Sequence, residues 1–532
     1  MRGRRRSGSA STVPSVRASA ITSRRARRDA VGREQREVTD RTAALRIIAR
    51  RSAAALSALA LALGPPGAAL AQPLQDNAYT IDLFQGPILA PLRVTGIAGA
   101  YAGYAEGIAG MVANAAAPAL REPFSMRWFE WDVAASISLP IELFENNDFD
   151  NSGDIDLDYS NFVYLTLGGQ LQAGDFGVGV NAELQRYSLT DEAGAETTVV
   201  IGKYHFLGGV RLLGDALVLG AGARAVTLNL QAEQTDLTMA GVSPELGVLV
   251  RPDWASYRLG ATFRFPVNGG RLLGEGVVMD GQVRRAGGLI LPDEVVLPWE
   301  LEIGLAVQVG PRPLNPAWID PRVQERELRE AVARRQTARE ERRARELGAI
   351  DDPEERARRE RVFATERARE RAADERELAA GPAVLEAERR ARYWNWPREH
   401  LLITAELLVT GPVSNGVSLE RFLAQKQPGS EHGPSAVGTS GAHVSFSPRF
   451  GIETEPIPGR VHTRFGSYYE PNRFGRLGSG RVGRQHFTFG ADVRVLSTTF
   501  WGLIPDTALT LQTSMDFAPR YDSVSAGIGV WH

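Results

Sequence analysis

The chain has no cysteine, almost no lysine and no long apolar run. Without cysteine, disulfide staples, thiolate metal sites and a cysteine nucleophile are excluded. Lys203 and Lys426 are the only lysines, so arginine carries nearly all the positive charge, which speaks of a GC-rich genome more than of a function. The formal net charge is -2, and no nucleic-acid footprint follows from it. The apolar stretch 53–63 is about eleven residues long, against the roughly twenty a helix needs to cross a bilayer, and no later segment reaches that length. Helical membrane spans are therefore excluded.

What is present begins with that short apolar stretch. Arg46, Arg50 and Arg51 precede it, Gly64, Pro65 and Pro66 break it, and Ala69, Leu70 and Ala71 follow. This is the layout of a signal peptide, with cleavage expected after Ala71. The Arg- and Ser-rich leader ahead of Arg46 predicts a translation start near Val38, the alternative being a disordered basic leader.

From Trp128 onward the sequence repeats runs of about ten residues with alternating polarity, the periodicity of strands. Val163, Leu165, Leu167, Gly169 and Leu171 alternate with Tyr164, Thr166, Gly168, Gln170 and Gln172. Val178, Val180, Ala182 and Leu184 alternate with Gly179, Asn181, Glu183 and Gln185, and a hairpin turn at Ala173, Gly174 and Asp175 joins the two runs. The runs at 300–309 and 509–517 follow the same rule.

A soluble sandwich alternates in the same way. The export signal, runs long enough for a tilted membrane path of roughly nine to eleven residues, and short turns alternating strictly with long loops select an outer-membrane barrel of a Gram-negative bacterium. About fourteen antiparallel strands are expected, an even number as closure requires. The last strand ends on aromatic Trp531, one residue before His532. If that strand runs into the periplasm, the short connections 500–506, 455–459, 251–255 and 214–216 are periplasmic, and the long ones, 411–442 and 268–298, lie outside.

By the same parity the Arg- and Glu-rich stretch 311–397 is a periplasmic insertion. Glu325 with Arg329, Glu341 with Arg345 and Glu355 with Arg359 have helix-supporting spacing, whereas Glu366 and Glu370 repel. Residues 348–353, and Gly381 with Pro382, punctuate it into three expected helices. Few apolar residues recur at heptad spacing, so a solvated helix or loose hairpin is expected rather than a tight coiled coil. Residues 321–393 read either as a docking arm for a periplasmic protein or peptidoglycan, or as a tolerated insertion without a partner.

Residues 90–120 read APLRVTGIAGAYAGYAEGIAGMVANAAAPAL. This stretch resembles the N-terminal signature of the FadL-like family of long-chain fatty-acid transporters, whose Gly- and Ala-rich segment leads into an Asn-Pro-Ala motif. The matching core is Ala98, Gly99, Ala100 and Tyr101. Asn114, Ala115 and Ala116 take the motif's place, with the proline delayed to Pro118, which departs from the family pattern. LPWELEIGL at 297–305 is similar to the family's proline-led strand, and 403–408 with 451–453 to its later strands.

The resemblance implies a fourteen-stranded barrel with an N-terminal lumen plug, through which hydrophobic small molecules such as fatty acids and aromatic hydrocarbons pass. The chain would then divide into a leader and signal (1–71), a plug (72–128), strands 1–8 (129–310), the charged insertion (311–397) and strands 9–14 (398–532). Gly96, Gly99, Gly103, Gly107 and Gly110, with Tyr101 and Asn114, are the plug positions, the glycines letting backbone fold where bulky side chains would collide with the wall. A flexible linker is the bland alternative.

Two other patterns bear on chemistry. Asp148, Asp150, Ser152, Asp154 and Asp156 alternate around Gly153 like the start of a calcium loop in an outer connection, although Tyr159 stands where a bidentate Glu belongs. Apart from this candidate calcium no cofactor is expected. His205, His443, His462 and His486 fall near strand positions and raise a lipid hydrolase, but none sits in a nucleophile motif, so the chain is read as a non-enzyme. The competing functional class is a barrel that transports nothing and anchors or assembles a cell-envelope or secretion complex through its helical arm.

Overall fold

The computed structural model describes residues 76–121, 125–139, 151, 159–190, 196–232, 235–275, 277–286, 289–423, 425, 440–474, 483–500 and 504–531. The signal peptide falls outside these residues.

Successive side chains of a strand leave on opposite faces, so runs of alternating polarity can close into a wall with two different faces. Fourteen runs do so: β1 (Phe129–Leu139), β2 (Tyr159–Ala173), β3 (Phe176–Thr190), β4 (Glu196–Leu212), β5 (Leu217–Ala232), β6 (Thr235–Val250), β7 (Tyr257–Arg264), β8 (Glu300–Val309), β9 (Leu401–Thr410), β10 (Ser445–Ile457), β11 (Val461–Glu470), β12 (Arg484–Phe500), β13 (Ile504–Ala518) and β14 (Tyr521–Trp531). Each pairs antiparallel with the next, and β14 returns to β1 through a register from Val133↔Val530 to Leu139↔Val524. The sheet has thereby lost its free edges.

The two faces are inverted relative to a water-soluble protein. Leu167, Leu171, Val178, Val180 and Phe206 are exposed on the outside, with Leu167 57% and Val180 51% accessible. On the same strands Gln170, Gln172, Asn181, Glu183 and His205 are buried. Among the described residues no helix is long and apolar enough to cross a membrane.

Tight turns close one end of the barrel, at Gly174–Asp175, 213–216, 251–256 and 458–460, and the charged insertion leaves from that same end, here the helical end. The long connections 265–299 and 411–444 leave from the opposite, loop end. The expected strict alternation of short and long connections fails twice there. Ala232 pairs with Thr235 and Ala518 with Tyr521, so the ladders run to the strand tips and leave no chain for a loop.

Near the loop end the wall is interrupted. The β7 ladder stops at Arg264 and resumes as Val267–Glu275, and Glu294–Leu297 precedes β8. Pro266 and Pro298, which have no N–H to donate, occupy these gaps. Beyond them a short N-terminal strand, Thr80–Asp82, is inserted into the wall, parallel to Glu294–Leu297 on one side and to Gly416–Ser418 on the other.

After that strand the chain dives into the barrel. This inner segment, to Arg121, holds two short helices, α1 (Leu92–Gly96) and α2 (Gly107–Gly110), and a 3-10 turn at Ala117–Ala119. Ile97, Ala98, Tyr101, Ala105, Asn114 and Leu120 are each at most 1% exposed.

The insertion is an antiparallel pair of helices, α3 (Pro321–Gly348) and α4 (Pro353–Trp394). Both start alike: a proline at the first helical position follows an Asp cap, Asp320 accepting from Arg322 N at 2.8 Å and Asp352 from Glu354 N at 3.1 Å. Two helices form where three were expected, because Gly381 and Pro382 lie inside α4. Pro382 removes one helical hydrogen bond, but Gly381 is buried where a side chain would strike Leu328 of α3, so cross-helix packing carries α4 through the break. Glu325 pairs with Arg329 at 3.1 Å as expected, whereas Arg359 turns across to Glu346 of α3 at 3.0 Å. Arg335–Glu377 at 2.6 Å, Arg339–Asp374 at 2.5 Å and Arg343–Glu370 at 2.5 Å also cross between the helices.

Candidate functional site: the barrel lumen

Every plug position named from the sequence is enclosed: Gly96, Gly99, Tyr101, Gly103, Gly107, Gly110 and Asn114 are all buried. Gly99 (φ 70) and Gly107 (φ 67) adopt the left-handed backbone that glycine takes without strain. Gly103 is pressed against the backbone of Gly304 on β8, and Gly96 against Gly490 on β12. The wall answers with glycines of its own. A Cβ at Gly177, Gly220 or Gly260 would run into the carbonyls of Pro118, Ala115 and Ala102 respectively. Sequence reasoning found the glycines of the segment and missed those of the wall, although they fall at lumen-facing positions of alternating strands.

Polar groups fix the segment in place. Glu406 on β9 accepts hydrogen bonds from Tyr101 N (3.0 Å) and Ala102 N (2.7 Å) and pairs with Arg449 of β10 at 3.0 Å. Asn114 Nδ2 donates to Ala102 O (2.9 Å) and Val248 O (3.1 Å), while its Oδ1 accepts from Ala116 N (3.0 Å). Gln172 of β2 donates to Pro118 O and Leu120 O at 2.9 and 3.0 Å. Arg93 reaches Glu453 of β10 at 2.8 Å.

Arg258 of β7, 1% exposed, joins three parts of the molecule. It pairs with Glu106 of the inner segment at 2.8 Å, donates to Tyr104 O at 3.0 Å, and donates from Nε to Asn315 Oδ1 at 2.8 Å. Asn315 stands at the root of the insertion and donates on to Pro252, Ala255 and Tyr257 carbonyls, each at 2.9 Å. Beside it the Trp318 ring lies between the guanidinia of Arg121 and Arg211, 4.3 and 4.6 Å away. The insertion is thus stitched at its base to both wall and inner segment.

Along the axis the lumen changes character. Towards the loop end Ile81, Leu83, Ile201, Leu228, Met239 and Phe422 belong to one buried apolar cluster. Below it, a cavity of ≈ 120 Å³ is lined by Glu183, Lys203, His205, Arg224, Arg264 and Glu302 among others. The charges are paired strand to strand: His205–Glu245 at 2.9 Å, Arg264–Glu245 at 3.3 Å, Arg264–Glu302 at 3.0 Å, and Arg224 with Glu300. On the far side of the inner segment a second cavity, ≈ 180 Å³, extends to the helical end.

Three of the four candidate histidines, His205, His462 and His486, face the lumen. His205 is held by Glu245, His462 by Asp492 at 2.8 Å, and His486 lies between Asp516 (2.9 Å) and Glu470 (2.7 Å). His443 is exposed near the loop end. The proposed calcium ligands Asp148, Asp150, Ser152, Asp154 and Asp156 lie outside the described residues. Among the described residues no cluster of three or more His, Asp or Glu is arranged to hold a metal.

Fourteen closed strands, apolar outside and charged inside around an enclosed N-terminal segment, define a β-barrel of outer-membrane type. No protein-family model and no curated protein sequence matches the chain. Solved structures similar to it include the CymD monoaromatic hydrocarbon channel, at 8% identity over 83% of this chain and 96% of that one, with a TM-score of 0.40. A Pseudomonas aeruginosa FadL homologue has 11% identity over 85% and 97% of the two chains, with a TM-score of 0.39. The Pseudomonas putida toluene transporter TodX has 9% identity over 86% and 99%, with a TM-score of 0.40.

Proposed function

We propose that the chain is an outer-membrane channel that admits hydrophobic small molecules, fatty acids or aromatic hydrocarbons, by diffusion through a plugged barrel. The single observation that carries this reading is the extensive apolar cluster enclosed at the loop end of the lumen, above the charged cavity. A greasy solute barred by polar lipopolysaccharide would meet there the most extensive of the buried apolar clusters in the described lumen. The inner segment then acts as the plug, the loop end faces outward, and the insertion lies in the periplasm. Deletion of the gene tests this: uptake of toluene and of long-chain fatty acids falls and returns on complementation, and undiminished uptake of both overturns the reading.

A second reading is favoured by one feature, the exposed charged hairpin of α3 and α4. As an arm it would anchor or assemble a cell-envelope complex, with a periplasmic protein or peptidoglycan as partner. Excision of 321–393 separates the two readings: a specific co-purifying partner lost while uptake is intact supports the arm. The acidic stretch 148–156 is proposed as a calcium loop, and chelation followed by melting tests it, an unchanged melting curve removing the idea.

A further inference from the structure

The cavity beneath the inner segment has a wall that the barrel does not supply. Tyr393 and Trp394, the last residues of α4, line it together with Arg398, His400 and Arg460. Its acidic groups are largely spoken for. Glu453 is engaged by Arg93 and Arg464, Glu455 by Arg312 at 3.0 Å, Asp492 by Arg464 and by His462 at 2.8 Å, and Glu106 by Arg258 at 2.8 Å. Asp132 of β1 and Arg494 of β12 add one further acid and one further base. Two cations are left over. Arg398 packs its guanidinium 4.5 Å from the Tyr393 ring centroid and 5.6 Å from that of Trp394 and donates to the Tyr393 carbonyl at 3.3 Å, and Arg460 stands exposed at the rim on the β10–β11 turn. Among the described residues neither has a carboxylate partner.

A cavity with surplus guanidinium, aromatic walls and a rim at the barrel mouth is suited to an anion carried on a flat apolar body. Arginine offers a planar fork that matches a carboxylate with two parallel hydrogen bonds, and aromatic rings stack or meet edge to face. The size narrows the choice: ≈ 180 Å³ compares with the roughly 150 Å³ of an engineered cavity that holds one benzene. A long alkyl chain overruns that volume.

We propose that this cavity is a binding site for a small aromatic carboxylate, with Arg398 and Arg460 taking the carboxylate and Tyr393 and Trp394 of the insertion packing against the ring. The inference deepens the channel reading, because it makes the cavity the last stop on the lumen path and gives the insertion a part in it. It also separates charged aromatic solutes from neutral ones within one lumen.

The test is calorimetric titration of the full chain in detergent with benzoate and with its uncharged analogue benzamide. Benzoate is expected to bind, benzamide at least about ten-fold more weakly, and R398Q and R460Q each to weaken benzoate about ten-fold while leaving benzamide unchanged. Both residues lie outside the strand ladders, and heat-modifiable gel mobility verifies that the variants close their barrels. Trp394→Ala is expected to weaken benzoate and benzamide alike. Benzoate binding no tighter than benzamide, or unchanged in both arginine variants, overturns the proposal. Toluene uptake by wild-type cells, measured in parallel, reports on the channel reading alone: its absence would sink that reading and not this site.

Discussion

Gly103 of the inner segment and Gly304 of β8 meet backbone to backbone: a Cβ built on Gly103 would stand 2.7 Å from the Gly304 carbonyl carbon. Real Cβ atoms do not approach backbone that closely, so the segment and the wall fit only because both positions lack a side chain.

Gly304→Val is therefore expected to displace the inner segment while the β7–β8 and β8–β9 ladders still close the barrel. Trypsin would then cut at Arg93 and Arg121, which are shielded in the native chain, and conductance of small ions in planar bilayers would rise. Wild-type protection in the variant would show that this contact does not hold the segment.

Glu406 anchors the same segment electrostatically. Glu406→Ala leaves Arg449 without its 3.0 Å partner and the Tyr101 and Ala102 N–H groups without an acceptor. Breaking such a buried pair costs about 3–5 kcal/mol. Amide exchange at Tyr101 and Ala102 is expected to accelerate by orders of magnitude, with little change in the outer ladders.

The outer wall makes an opposite demand. Leu167 lies near the middle of β2, 57% exposed on a face otherwise rich in Leu, Val and Phe. Leu167→Arg is expected to cost about 2–4 kcal/mol when the barrel is folded in lipid, as for a cation at a bilayer midplane. Unfolding titrations in liposomes measure this, and a cost near zero would place that position outside the hydrocarbon.

The hairpin carries a pH dependence. Hydrogen bonds from Arg339 and then Gln336 hold the Asp374 carboxyl below its ordinary value of 3.8. A depressed acid stabilises the fold above its unfolded value, and that contribution is lost as pH falls through the folded one. The α3–α4 contact is thus fully present at neutral pH and loosens only below the ordinary aspartate range. Amide exchange of the two helices across that range should show a larger acid-dependent loss in the wild type than in Asp374→Asn, whose remaining cross-helix carboxylates still titrate.

Much of the fold is legible in the sequence because a barrel wall is built from one local rule. Leu165 and Leu167 outward, Thr166 and Gln170 inward, follow from period two alone, and the turn at Gly174 follows from its residues. What local rules do not carry is contact between distant parts. Nothing near Thr80–Asp82 announces a strand that enters the wall between segments more than 200 residues away. The glycine-rich signature pointed to the inner segment, but not to Arg258 or Asn315, whose roles come from three parts of the chain converging. The third helix expected at Gly381 and Pro382 failed for the same reason, since Leu328 of α3 decides it.

The most direct measurement is phase partition of the exported chain between water and detergent. With Leu167, Val180 and Phe206 outward and Glu183 and His205 inward, the protein should enter the detergent phase completely and precipitate when detergent is withdrawn. A monodisperse, folded chain in plain buffer would contradict the account.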